Sequence, residues 1–219
     1  MLPTKVVTLT LMSIGAWSAC DSPKHEEPLA VDEPVLAVSV DVGSGDIDLV
    51  GADVTGVNAI AKIEGDTNHL GYTLIDGRLS LYEDCHEDPC GVNIQALVPQ
   101  GVPIEVYTGS GDVRVQSALD RVHLEAGSGD VIGIDVAGPD LDVQTGSGDI
   151  DLRVLSRAER VSVRAGSGDV RLAVPAGAYR LAVDTGSGDE SVQGVTDDAA
   201  ASGSIDVDTG SGDVRIRGR

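Results

Sequence analysis

The chain has 219 residues, a formal net charge of −21, 41% hydrophobic residues and 2% aromatic residues with no Phe. That length suits one moderate domain or two small ones, with a core filled by Val, Leu, Ile and Ala, as suits pleated structure. The charge repels phosphate backbones and anionic headgroups, no basic stripe relieves it, and nucleic-acid binding is therefore not expected.

Residues 1–19 read as a signal peptide. Lys5 supplies the positive start, and Val6 to Trp17 is an apolar run too short to span a bilayer. Trp17-Ser18-Ala19-Cys20 resembles a bacterial lipoprotein cleavage box, with Trp17 where Leu is usual. The resemblance implies cleavage before Cys20 and lipidation of that residue. The alternative is an ordinary secretory signal cut near Ala19. Residues 20–34 then read as a lipidated cysteine followed by a flexible tether bearing Pro23, Pro28 and Pro34.

Residues 35–219 read as one β-strand-repeat domain, irregular over 35–100 and regular over 101–219. Its mark is Gly-Ser-Gly-Asp, which occurs seven times, beginning at Gly43, Gly109, Gly127, Gly146, Gly166, Gly186 and Gly210. A recurrence near 20 residues is the signature of a repeat architecture. In the irregular part, strands are expected over Val57 to Ile63, Tyr72 to Ile75, Arg78 to Tyr82 and Val92 to Val98. Asp76-Gly77 marks a tight hairpin. Antiparallel pairs, or degenerate repeats lacking the corner motif, are expected here.

In the regular part, apolar residues alternate before each corner (Ile104 and Val106, Val122 and Leu124, Leu181 and Val183) and after it (Val113 and Val115, Ile150 and Leu152). Val106 and Val113 are seven apart, so one straight strand would point them to opposite faces. The corner must bend the chain to keep both inward, with glycine admitting positive φ and Asp bonding nearby amides. The fold expected is all-β: a stacked β-solenoid of about 20 residues per coil, whose coils share one core. An antiparallel sandwich is the competing reading. Arg217 and Arg219, at the end of the chain, are expected to discourage edge-to-edge pairing.

Repeated Gly-Ser-Gly-Asp with alternating flanks, after a lipoprotein-like leader, resembles the bacterial putative-adhesin family of domains of unknown function built from β-strand repeats. The resemblance covers roughly residues 36 to 219. It implies a right-handed β-helix-like solenoid in envelope or surface proteins and carries no established catalytic residues.

The corner aspartates Asp46, Asp112, Asp130, Asp149, Asp169, Asp189 and Asp213 would stack about 4.8 Å apart. Bare charges at that spacing repel by about 0.9 kcal/mol per pair in water. Either backbone amides neutralise them, or a cation bridges neighbours, and calcium prefers such oxygen donors. Asp112, Asp130, Asp149, Asp169, Asp189 and Asp213 are the candidate metal residues on the second reading. The corner serines, such as Ser110 and Ser128, are turn formers, because seven copies do not suit a nucleophile. Cys85 and Cys90, in an oxidising compartment, read as a local disulfide, with a metal site using Cys85, His86 and Cys90 as the alternative. His25 and His123 have no visible partner and read as solvated. Paired carboxylates such as Asp149 and Asp151, or Asp46 and Asp48, raise a polysaccharide-acting β-helix enzyme. No acidic pair stands out, and stacking on sugar would rest on Tyr72, Tyr82, Tyr107 or Tyr179.

The expectation is a non-enzymatic, exported lipoprotein anchored in the cell envelope, with an adhesin-like or structural role and an envelope protein or polysaccharide as partner. A calcium-binding β-solenoid is the alternative, and a polysaccharide-acting enzyme the third reading.

Overall fold

The computed structural model describes residues 25–65, 68–86 and 90–219. The expected signal peptide and the expected lipidation site Cys20 lie outside the described residues. Among these, all regular structure is β, in two ten-stranded sheets.

The chain begins with β1 (His25–Val31), β2 (Ala37–Ser44), β3 (Ile47–Ala52) and β4 (Val57–Ile63). It continues through β5 (His69–Ile75), β6 (Arg78–Asp84) and β7 (Val92–Pro99). The regular repeats supply β8 (Ile104–Ser110), β9 (Val113–Gln116), β10 (Val122–Ser128), β11 (Val131–Val136), β12 (Asp140–Ser147) and β13 (Ile150–Val154). The last strands are β14 (Arg160–Ser167), β15 (Val170–Val174), β16 (Gly177–Thr185), β17 (Glu190–Gln193), β18 (Val195–Asp197), β19 (Ser204–Thr209) and β20 (Val214–Gly218).

The first sheet runs β1-β4-β7-β3-β9-β11-β13-β15-β20-β17, and the second β18-β16-β19-β14-β12-β10-β8-β2-β6-β5. Each Gly-Ser-Gly-Asp corner carries the chain from the second sheet into the first. That answers the parity problem: Val106 on β8 and Val113 on β9 lie in different sheets and are both fully buried. Pairing through the repeats is parallel, which rules out the antiparallel sandwich there. Val122 lies opposite both Ile104 and Leu141, and Leu141 opposite Val161. Among the described residues the shared core is almost entirely aliphatic, with Tyr179 its one aromatic.

The irregular part is an end assembly. β2 and β3 pair directly with β8 and β9, so the 66-residue gap between the first two corners leaves the stack and returns to it. β6 and β7 form a further unit, parallel to β2 and β3, in which the Cys85–Cys90 loop replaces the motif. β5 closes one sheet as an antiparallel hairpin, turning at Asp76 (φ 50°) and Gly77 (φ 79°), as the Asp-Gly pair predicts. β4 and β1 close the other sheet, also antiparallel. One correction concerns residues 25–31, expected in the flexible tether: they form β1 instead, because Leu29 and Val31 face the core while Pro28 is tolerated on an edge strand.

A second correction concerns the carboxyl-terminal end. The last unit, β19–β20, is not outermost. It lies between β14–β15 and β16–β17, paired on both sides. The terminal arginines therefore guard no free edge. Arg219 instead donates to the Val154 carbonyl. The outer strands there are β17 and β18, of four and three residues, and short edges limit pairing with other chains. Leu181 and Val183, on β16 near this end, are only half buried.

Candidate functional site

The corners stack into one continuous line along the molecule. In each, the second glycine has positive φ, from 132° at Gly111 to 154° at Gly188. A side chain there is also excluded by space: a Cβ on Gly148 would sit 2.1 Å from the Gly129 carbonyl oxygen. Close backbone approach and positive φ together explain why the motif keeps Gly at this place. The serines stack in register, Ser44 beside Ser110, then Ser128, Ser147 and Ser167.

The aspartates form a ladder of side chain to backbone bonds. Asp46 accepts from the Asp112 amide at 2.9 Å, Asp112 from Asp130 at 2.8 Å, and Asp130 from Asp149 at 2.7 Å. Asp149 accepts from Asp169 at 2.9 Å, Asp169 from Asp213 at 3.0 Å, and Asp213 from Asp189 at 3.0 Å. The order follows the sheet and not the chain, since Asp213 precedes Asp189. Each carboxylate up to Asp213 thus accepts, through Oδ1, from the next corner's amide. At Asp149 the Asp169 amide, opposed by desolvation and aided by Arg171, holds the carboxyl below its ordinary range. Arg171 bridges Asp149 and Asp169, at 3.1 and 2.8 Å, and Arg215 bridges Asp169 and Asp213, at 3.7 and 2.6 Å.

Two partners of the ladder escaped sequence reading. Asn93 accepts from the Asp46 amide at 2.8 Å and so begins the line. Its unit lacks the motif, and only the β3–β7 pairing reveals the equivalence. The threonines before the corners are the second. Thr145 donates to the Gly129 carbonyl at 3.0 Å, Thr185 to Gly212 at 3.0 Å, and Thr209 to Gly168 at 3.2 Å. Thr-Gly-Ser-Gly recurring at 108, 145, 185 and 209 was the available signal.

Cys85 and Cys90 are joined by a disulfide, with Cα atoms 5.9 Å apart. This removes both thiolates from the Cys85–His86–Cys90 metal alternative. The histidine reading is corrected too. His123 is half buried, 3.4 Å from Asp142 and 3.9 Å from Glu125, with its ring tilted toward Tyr107. His25 contacts Glu27. Of the four tyrosines, Tyr179 is buried, bonds the Pro175 carbonyl and carries Arg157 over its ring. Tyr72 and Tyr82 sit exposed on the β5–β6 hairpin, and Tyr107 lies on β8. The strands of Tyr72, Tyr82 and Tyr107 belong to the second sheet, whereas Asp48 on β3 and Asp151 on β13 belong to the first. Burial raises the Asp48 carboxyl above its ordinary range, against the pull of Arg114 and a bond to Gln116.

The profile of the Toastrack DUF4097 family matches residues 30–217. Among solved structures, a putative cell adhesion protein from Clostridium sporogenes is similar at TM-score 0.52 and 14% identity, over 89% of this chain and 99% of that one. A putative adhesin from Bacteroides fragilis is matched at TM-score 0.42 and 13% identity, over 89% and 98% of the two chains. At 14% identity the likeness to the Clostridium sporogenes protein is one of fold. Among curated proteins none matches this sequence.

Proposed function

The chain belongs to the Toastrack DUF4097 family, and from that premise we propose that it is a non-enzymatic lipoprotein of the bacterial cell envelope, presenting an acidic β-repeat domain for structural or adhesive contact. The observation that carries this reading is the corner ladder. Its carboxylates are spent on backbone amides, so the most repeated polar residues build a stiff, regular surface and not a reaction centre. The parallel register, stepping 18, 19 and 20 residues between neighbouring units, supports a right-handed winding of about 20 residues per coil. Adhesive contact is carried over from the description of the Clostridium sporogenes fold relative. The net charge of −21 favours a cationic or neutral envelope protein or polysaccharide as partner.

Export and anchoring rest on residues 1–20. Labelling cells with a radioactive fatty-acid precursor is expected to mark the wild-type chain and to leave Cys20→Ala unmarked. A Cys20→Ala chain labelled as strongly as wild type overturns the anchor.

A further inference from the structure

Three of the four histidines in the sequence converge at one end of the molecule. His25 and Glu27 are two apart on β1 and so share a face of that strand. His69 opens β5. β1 is the free edge of one sheet and β5 the free edge of the other. Glu27 Oε1 lies 2.5 Å from His69 Nδ1 and 3.4 Å from His25 Nε2. One donor atom from each of the three residues falls within 4.8 Å of the others. The other carboxylate oxygen of Glu27 accepts from the Leu70 amide at 3.0 Å, which fixes its orientation. His86 stands beside His69 with ring centroids 6.5 Å apart and is itself 3.6 Å from Asp84.

We propose that His25, Glu27 and His69 form a binding site for a first-row divalent metal ion, best matched by zinc, which ties the free edges of the two sheets together. Two imidazoles and one carboxylate are a borderline donor set that suits zinc and disfavours calcium, whose ligands are all oxygen. Donors around a tetrahedral zinc stand roughly 3.3 Å apart, given bonds of about 2.0–2.2 Å. The Glu27–His25 distance of 3.4 Å already meets this, and the Glu27–His69 pair needs to open by less than an ångström. The Leu70 amide acts as the outer partner that such carboxylates carry. Side-chain exposures of 30% for His25 and Glu27 and 52% for His69 leave the site open to solvent, with room for water as a further ligand. The net charge of −21 draws cations toward the molecule.

The test is calorimetric titration of the chelator-treated full chain with zinc, paired with thermal unfolding. One equivalent is expected to bind and to raise the unfolding temperature, with calcium at equal concentration producing no binding at this site. His25→Ala, His69→Ala and Glu27→Gln should each weaken zinc at least tenfold. Glu27→Gln keeps an acceptor for the Leu70 amide, so its metal-free unfolding temperature is expected to stay within a few degrees of wild type. His123→Ala and Asp130→Asn, which lie elsewhere, should bind zinc as wild type does. Absence of zinc binding by the wild-type chain, or unchanged affinity in the three site variants, overturns the proposal.

Discussion

A single corner aspartate does two jobs at once: it accepts a neighbour's amide, and its own amide is satisfied by the neighbour on the other side. Removing the carboxylate orphans a backbone N–H at the next corner, which costs about 1–3 kcal/mol where water does not replace the bond. The corners are partly exposed, so the lower half of that range applies. Asn93 shows that an amide oxygen can hold the same place, accepting from Asp46 at 2.8 Å. Asp130→Ala is therefore expected to lose about 1–2 kcal/mol, and Asp130→Asn less than about 1 kcal/mol, since only the charge assistance is lost. Urea unfolding of both variants decides this, and equal losses would show that the hydrogen bond to Asp149 contributes nothing.

At the scale of the element, the β19–β20 unit determines how the carboxyl-terminal end closes. It buries Ile205, Val207, Val214 and Ile216, each essentially inaccessible. Four such side chains contribute about 6–12 kcal/mol at about 1.5–3 kcal/mol each, comparable with the whole stability of a domain. Because the unit pairs on both sides, its loss also bares β14 and β15 on one side and β16 and β17 on the other. A chain ending at residue 202 is expected to aggregate or to unfold at least about 10 °C below wild type. Circular dichroism with light scattering reads this directly. An unchanged transition would mean that β16–β17 can dock on β14–β15 unaided.

For the whole molecule, the balance of carboxylates governs the response to acid. Asp149 titrates below its ordinary value, chiefly through the Asp169 amide and also through Arg171. A depressed folded pKa means stability that is present above the unfolded value of about 3.9 and lost as pH falls through the folded one. Asp48 has the opposite sign, since burial raises its carboxyl, and relief of self-repulsion in a chain of charge −21 also opposes acid unfolding. A comparison isolates the first effect. Unfolding temperature measured from pH 6 to 2.5 should fall less steeply below pH 4 in Asp149→Asn than in wild type. Parallel curves would remove Asp149 from the acid response.

The amino-acid sequence determined most of the repeat and little of its assembly. Gly-Ser-Gly-Asp with alternating valines dictates strand, corner and strand, because positive φ, close backbone approach and a short acceptor side chain are local demands. The hairpin at Asp76-Gly77 was legible for the same reason. Asn93 in the ladder, the intercalated β19–β20 unit, and the meeting of His25 and Glu27 with His69 were decided only by the tertiary structure. Parallel pairing joins residues far apart in the chain through backbone groups that every residue carries. Neighbour order along a sheet therefore leaves no mark on the spacing of any one motif.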